Sequence, residues 1–194
     1  MTDITIYDTR NYLLENNYII VDEFLSAQEA SDLYQGFKYY ASVNPDKFRL
    51  DDQCPKSLAI YDYMPFVQLL VDRVPVFATI VKEPVLPTYC YARLYTNGEE
   101  LKRHTDRESC ELSATVHLGS DGTDWPIYFT DPRGKEVEVI LKPGQAAIYL
   151  GTHSEHWRNK FEGQEYGQVF LHYVRTYGEN SKHYFDNIIK TGQN

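Results

Sequence analysis

CELSATVHLG, residues 110–119, is the stretch whose reading decides the fold of this chain. Successive side chains of an extended strand point to opposite faces, so Leu112, Ala114, Val116 and Leu118 share one face and Ser113, Thr115 and His117 the other. The first face can pack on a core while the second lines a polar interior. Seven short β-type runs surround it: TYCYARLYT (88–96), LKRHTD (101–106), WPIYFTD (125–131), KEVEVILK (135–142), QAAIYLG (145–151), HWRNKF (156–161) and YGQVFLHYV (166–174). Asn-Gly, Asp-Gly, Arg-Gly, Pro-Gly and Glu-Gly pairs divide them, which is the turn chemistry of antiparallel connections. With no internal repeat, the pattern predicts an antiparallel sandwich or jelly roll.

Upstream the period changes. NNYIIVDEFL (16–25) reads as a short strand leading to a helix that opens at Ser26, which with Glu29 has the form of a capping box. Ala30, Leu33, Phe37 and Tyr40 continue its apolar face. A second helix is expected from Pro65 to about Val81, with Phe66, Leu69, Leu70 and Val74 on one side. Between the helices, NPDKFRLDDQCPKS (44–57) reads as a long polar loop, either a lid over a pocket or plain surface. The fold class is therefore mainly β with flanking helices (α+β). One domain spans 1–194: an N-terminal strand and buttressing helices in 1–85, the β core in 86–176, and a tail at 177–194, where a short helix or frayed end is expected.

Composition narrows the function. Hydrophobic content of 42% and charged content of 24% are ordinary for a soluble globular protein, and no apolar run of membrane-spanning length stands out. MTDITIYDTRNYLLENN lacks the basic start and apolar centre of a secretory signal, so a cytoplasmic location is the expectation. A formal charge of −9 with no Lys/Arg-rich block disfavours nucleic-acid substrates. Cys54, Cys90 and Cys110 have no CxxC spacing and read as small buried thiols. The 17 tyrosines are expected mostly as core and barrel lining with a polar tip, a few of them in a substrate groove.

The chemistry sits in LKRHTDRESCE (101–111) and GTHSEHWRNKF (151–161). If LKRHTD is extended, His104 and Asp106 point the same way and can reach one metal. A distant strand must supply the third ligand, either His153 or His156. EHWR leads into the next strand whereas the turn at 151–154 lies outside the wall, so His156 is preferred. Two imidazoles and one carboxylate occupy one face of an Fe(II) ion and leave the opposite positions for a co-substrate and dioxygen. His172 in VFLHYV is then a hydrogen-bonded wall residue, and Trp157, alternating with His156 and Arg158, faces outward.

NNYIIVDEFLSAQEASDL, YARLYTNGEELKRHTD, CELSATVHLG, LKPGQAAIYLG and EHWRNKF…GQVFLHYV, in this order, resemble the 2-oxoglutarate- and Fe(II)-dependent oxygenases of the prolyl 4-hydroxylase-like group. The resemblance covers most of residues 17–176, and the YxxGxxLxxHxD form of Tyr95 to Asp106 adds to the HxD…H triad. It implies a double-stranded β-helix (jelly-roll, cupin-like) barrel with His104, Asp106 and His156 as iron ligands. It further implies 2-oxoglutarate as co-substrate, dioxygen, and ascorbate as a possible support. The resulting reaction couples decarboxylation of 2-oxoglutarate to succinate and CO2 with hydroxylation. A halogenating subclass replaces the carboxylate ligand by a small residue, and this chain keeps Asp106.

One departure stands out. Relatives place an Arg or Lys at the start of the last barrel strand to pair with the 5-carboxylate of 2-oxoglutarate, where this chain has Tyr166 and, two further on, Gln168. A buried unpaired carboxylate is too costly, so another group must meet it. Arg158 shares the inward face of His156 and is the first choice, with hydrogen bonds from His117 and Tyr95; Arg93 and Gln168 are the alternatives. Tyr91 and Thr115 are expected to face the substrate. That substrate is a prolyl residue in a peptide, or a free amino acid or similar small metabolite. The competing reading is a cupin-like binding protein that holds a metal or ligand without oxygenase activity.

Overall fold

All eight core strands form where the alternation predicts them. The computed structural model describes residues 8–186. The chain runs through α1 (Thr9–Asn16), β1 (Tyr18–Val21), α2 (Ala27–Val43), β2 (Arg49–Asp51), β3 (Cys54–Tyr61), α3 (Met64–Asp72) and α4 (Val74–Val81). Then follow β4 (Val85–Thr96), β5 (Leu101–His104), β6 (Leu112–Ser120), β7 (Ile127–Thr130), β8 (Glu136–Val139), β9 (Ala146–Leu150), β10 (His156–Arg158) and β11 (Glu165–Arg175). A seven-stranded sheet, in the order β1, β9, β6, β11, β4, β3, β2, faces a four-stranded one in the order β5, β10, β7, β8. Every pairing is antiparallel. This is the expected double-stranded β-helix with helices against the larger sheet.

The helices take the dry face. Ser26 caps α2: its hydroxyl accepts from the Glu29 amide at 3.2 Å and its own amide donates to the Glu29 carboxylate at 2.8 Å, an arrangement that stabilises a helix start by about 1 kcal/mol. Ala30 and Phe37 are fully buried among Leu112, Ala114, Val116 and Leu118 of β6, Ala92 of β4 and Val169 of β11. Phe66 and Leu70 of α3 and Phe77 of α4 fill the rest of this core.

Two expectations about 44–81 need correction. The single helix expected over 65–81 breaks into α3 and α4 at Arg73, because Pro75 has no amide hydrogen and its ring clashes with the carbonyl of Val71 in a continuous helix. The stretch Met64–Val81 has a mean hydropathy of 1.5 over 18 residues, enough by length and composition to cross a membrane; Gln68, Asp72 and Arg73 hide it from a search for unbroken apolar runs. Here its buried members pack on the sheet. Nor is 44–57 a free loop. Phe48 packs on Phe37 and Tyr40, Cys54 is buried, and β2 and β3 extend the large sheet beyond β4, so that sheet begins before residue 86. In the expected tail, Glu179–His183 forms one 3-10 turn, and 187–194 lie outside the described residues.

The inner face is built in cross-strand rows. His172 of β11 pairs with Tyr89 of β4 and Ser113 of β6, and Ser113 with Tyr149 of β9. The next rows join Phe170 to Tyr91 and Thr115, then Gln168 to Arg93 and His117, then Tyr166 to Tyr95. Behind this face, the paired Gly119 and Gly167 make a flat seat for the ring of Tyr34, whose hydroxyl donates to Glu165 at 2.5 Å. A Cβ at Gly167 would lie 2.3 Å from that ring. Gly167→Ala is therefore expected to destabilise by about 1–3 kcal/mol, as overpacking of a filled contact does. A lower urea midpoint at unchanged slope would show it, and an unchanged midpoint would mean that α2 shifts freely on the sheet.

Candidate active site

The register of β10 puts His156 directly opposite His104 of β5. The chain then leaves β5, and Asp106 follows two residues on with its amide donating to the Gly151 carbonyl at 2.8 Å. As a result one ligand atom from each of His104, Asp106 and His156 lies within 4.8 Å of the others. Each imidazole Nε2 stands 3.6 Å from Asp106 Oδ1. His104 Nδ1 meets the Lys102 carbonyl at 2.8 Å and His156 Nδ1 the Ser154 carbonyl at 3.0 Å. A carbonyl can only accept, so both Nδ1 atoms carry the hydrogen and both Nε2 lone pairs face the gap. Burial, reinforced by His104, pushes His156 down to about 3, and burial raises Asp106. A dication in the gap reverses both penalties, since it favours neutral imidazole and ionised carboxylate. His153 is exposed on the turn, contacts Thr152 and stands outside this group.

Residues around Asp106 hold it in place. Ser113 Oγ lies 3.1 Å from Asp106 Oδ2 and 2.8 Å from His172 Nδ1, which makes His172 the wall residue expected of it. Cys110 and His172 also fall within reach of Asp106. Burial pushes the Cys110 thiol up to about 11, which keeps it protonated and a poor ligand. Gly151 is a functional position that the sequence shows only as a turn residue. A Cβ there would come within 2.1 Å of the Cys110 carbonyl and 2.7 Å of Asp106 Oδ2, so any side chain would displace the carboxylate.

The three ligands open into a cavity of about 290 Å³ whose walls include Tyr61, Tyr89, Tyr91, Tyr95, Phe170, Arg93 and Arg107. Beyond Tyr95 lies a second polar cluster that does not line this cavity. Arg158 is fully buried there, clear of Glu155 and Glu162, with its guanidinium 4.7 Å from the Trp125 ring and 5.2 Å from the Tyr166 ring. One nitrogen donates to the Trp125 carbonyl, while Nε and Nη2 have no partner among the described residues. Tyr95 Oη and Tyr166 Oη are likewise buried and unpaired. Burial lifts Tyr95 to about 12 against the pull of Arg93 and Arg158. Buried donors without acceptors cost about 1–3 kcal/mol each, so this cluster fits an anionic guest.

Four sequence assignments change in this interior. His117 donates through Nδ1 to the Leu141 carbonyl at 2.8 Å and burial pushes it down to about 4, so its neutral ring offers only a lone pair at Nε2 and cannot donate to a carboxylate. Gln168 turns its amide hydrogens to Thr115 Oγ1 and away from the cluster. Thr115, fully buried and bonded to Gln168, does not line the cavity. Arg93 is held by Asp51 at 2.5 Å and by Tyr91 Oη at 2.6 Å, which neutralises its charge. Tyr91 remains on the cavity wall, its hydroxyl donating to Asp51 at 2.5 Å. Tyr166, noted in the sequence only for its lack of charge, joins Arg158 and Tyr95 as a donor.

No protein-family model and no curated protein matches the sequence. Solved structures do match the fold. A Pseudomonas putida prolyl-4-hydroxylase aligns at a TM-score of 0.70 and 16% identity, over 86% of this chain and 97% of its own. SnoK, a non-haem α-ketoglutarate-dependent carbocyclase of nogalamycin biosynthesis, gives 0.74 and 8% over 88% and 84%. EctD from S. alaskensis with bound Fe gives 0.71 and 14% over 91% and 79%. The fold is that of the 2-oxoglutarate- and Fe(II)-dependent oxygenases. The His104, Asp106 and His156 group fits the facial triad of such proteins.

The buried imidazoles set a pH response. His117 and His172 sit near 4 in the fold because burial disfavours their charge, against about 6.5 in an unfolded chain. Between these values the unfolded chain binds protons that the fold refuses, so stability is full above pH 6.5 and is lost as pH falls towards 4. His117 alone should account for a loss on the order of 3 kcal/mol across that window. Denaturant titrations of chelator-treated protein at pH 7, 6 and 5, beside His117→Gln, would measure it. An equal loss in the variant would remove His117 as the cause.

Proposed function

We propose that this chain is a non-haem Fe(II)- and 2-oxoglutarate-dependent dioxygenase that hydroxylates a prolyl residue in a peptide, a free amino acid or a similar small metabolite. The observation that carries the reading is the His104, Asp106 and His156 group with its Nε2 atoms and carboxylate converging at the head of a cavity. When bound, iron and 2-oxoglutarate supply oxygen chemistry, coupling decarboxylation to succinate with hydroxylation of a substrate C–H bond. His104 and His156 hold the metal through nitrogens oriented by backbone carbonyls, and Asp106 holds it through a carboxylate that Ser113 and the Gly151 backbone keep in line. Arg158, with Tyr95 and Tyr166, meets the distal carboxylate of 2-oxoglutarate, because Arg158 Nε and Nη2 and the two hydroxyls are buried with no acceptor among the described residues. Tyr61, Tyr89, Tyr91 and Phe170 exclude water from the remaining space and carry the substrate.

Asp106→Ala is expected to abolish both Fe(II) binding and 2-oxoglutarate turnover, measured as iron content after anaerobic loading and as succinate release. Full iron content and activity in that variant would sink the assignment. His153→Ala should leave both readouts near wild type; a loss as deep as that of His156→Ala would mean that the turn histidine is the ligand.

Arg158→Ala removes one partner of a buried pair, a change worth about 3–5 kcal/mol, and should raise the apparent 2-oxoglutarate requirement about a hundredfold or more. Iron content should stay the same, which separates an anchor from a ligand. If the 2-oxoglutarate dependence does not move, Arg158 is a packing residue between Trp125 and Tyr166 and nothing more.

A further inference from the structure

One arginine on the cavity wall, Arg107, and one beside it, Arg49, carry charge that this acidic chain leaves unpaired among the described residues. With a net charge of −9, carboxylates are plentiful, and Arg73, Arg93, Arg103, Arg133 and Arg175 each pair with one. Arg107 and Arg49 form no ion pair among the described residues, and both rest on aromatic rings instead. The Arg107 guanidinium lies 4.7 Å from the centre of the Tyr89 ring, with Nε donating to Tyr89 Oη at 3.3 Å. That of Arg49 lies 4.0 Å over Tyr61. Tyr61 packs against Tyr89 at 5.6 Å and Tyr91 at 4.5 Å, so the two cations flank one aromatic platform. Arg107 directly follows Asp106, which puts the head of the cavity beside it.

Both arginines are exposed, and the ring contacts orient each guanidinium, so less side-chain freedom is lost when its fork meets a planar acid. Asp51, the acidic neighbour of the platform, is already held by Arg93 and cannot serve Arg107. A cavity of about 290 Å³ is at the small end for ligand sites and suits a small molecule better than a long peptide segment. We propose that Arg107, assisted by Arg49, binds the carboxylate of the substrate, a small carboxylic acid whose apolar or aromatic body lies on Tyr61, Tyr89, Tyr91 and Phe170. The chemistry done on that acid rests on the dioxygenase reading; its recognition does not.

A panel of aryl and alkyl carboxylic acids, each beside its primary amide, would be titrated calorimetrically into the full chain loaded with Fe(II) and saturating 2-oxoglutarate under nitrogen. An amide keeps the shape of its acid and loses the charge. At least one acid should bind about tenfold or more tighter than its amide, and Arg107→Gln should bring that acid down to the level of the amide. Arg107→Lys should retain part of the difference and Arg49→Ala should lose a smaller share, which keeps the test open if Arg107→Gln does not fold. Acids and amides binding alike across the panel, or Arg107→Gln binding the acid as wild type does, would overturn the proposal. Admitting air to the acid complexes separates the two readings: charge-dependent binding with no succinate would remove the oxygenase and leave the carboxylate site, and succinate release that ignores charge would do the reverse.

Discussion

The pairing of β10 with β5 is the constraint on which the site depends. With His156 opposite His104, two imidazoles from distant parts of the chain meet across a single pair of strands, and only the carboxylate has to be brought in separately. Side-chain direction alternates along a strand, so a slip of one residue would turn His156 and Arg158 outward and Trp157 in. Contacts on both sides of β10 oppose that slip. Trp157 stacks on Tyr128 at 5.4 Å on the outer face and lies under the Arg103 guanidinium at 3.6 Å, while Phe129 stands opposite His156 within. The candidate ligand group is thus held in register by aromatic packing on both sides of β10.

An interior made this way is expensive. Arg158, Tyr95 and Tyr166 present buried donors without acceptors among the described residues, and His117, His156 and His172 are buried so that they resist protonation, which costs stability as the pH falls below the ordinary imidazole range. The opposite face of the same large sheet carries the compensation. Leu112, Ala114, Val116 and Leu118 alternate with the polar residues of β6 and join the helices in a core of apolar side chains. One strand therefore serves stability and chemistry on its two sides, and a helix-covered outer face lets the inner one stay polar.

How much of this was legible depends on the range of the interaction that decides each feature. Period-two alternation and a two-residue spacing are local, and they gave the eight core strands and the pairing of His104 with Asp106. The choice of His156 over His153 also followed from a local feature, the strand entry at EHWR. What the sequence hid was decided at long range. The tautomer of His117 is set by the Leu141 carbonyl, 24 residues away, and the neutralisation of Arg93 by Asp51, 42 residues away. The polar run DDQ (51–53) reads as a loop because its residues are hydrophilic, yet Asp51 and Gln53 turn towards a buried arginine, Asp51 from the end of β2 and Gln53 from the turn that joins it to β3. Hydropathy alone does not distinguish a polar side chain facing water from one facing a buried cation.

The charges along the cavity suggest how the pieces act together. Arg93 is neutralised by Asp51, which leaves Arg107 on the cavity wall and Arg158 in the cluster beyond Tyr95 as cations without an ion pair among the described residues. In the proposed complex, a divalent metal, the Asp106 carboxylate, the two carboxylates of 2-oxoglutarate and Arg158 sum to no net charge. Nothing in that inner set can then attract or balance a further anion. An acid entering afterwards must be met by Arg107, and its charge would be matched there one to one. This ordering makes the two arginines independent in role, since one completes a neutral interior and the other selects what approaches it. It also gives the β2–β3 hairpin a purpose: by pairing with Arg93, Asp51 keeps that buried cation from competing with Arg107 for the same carboxylate.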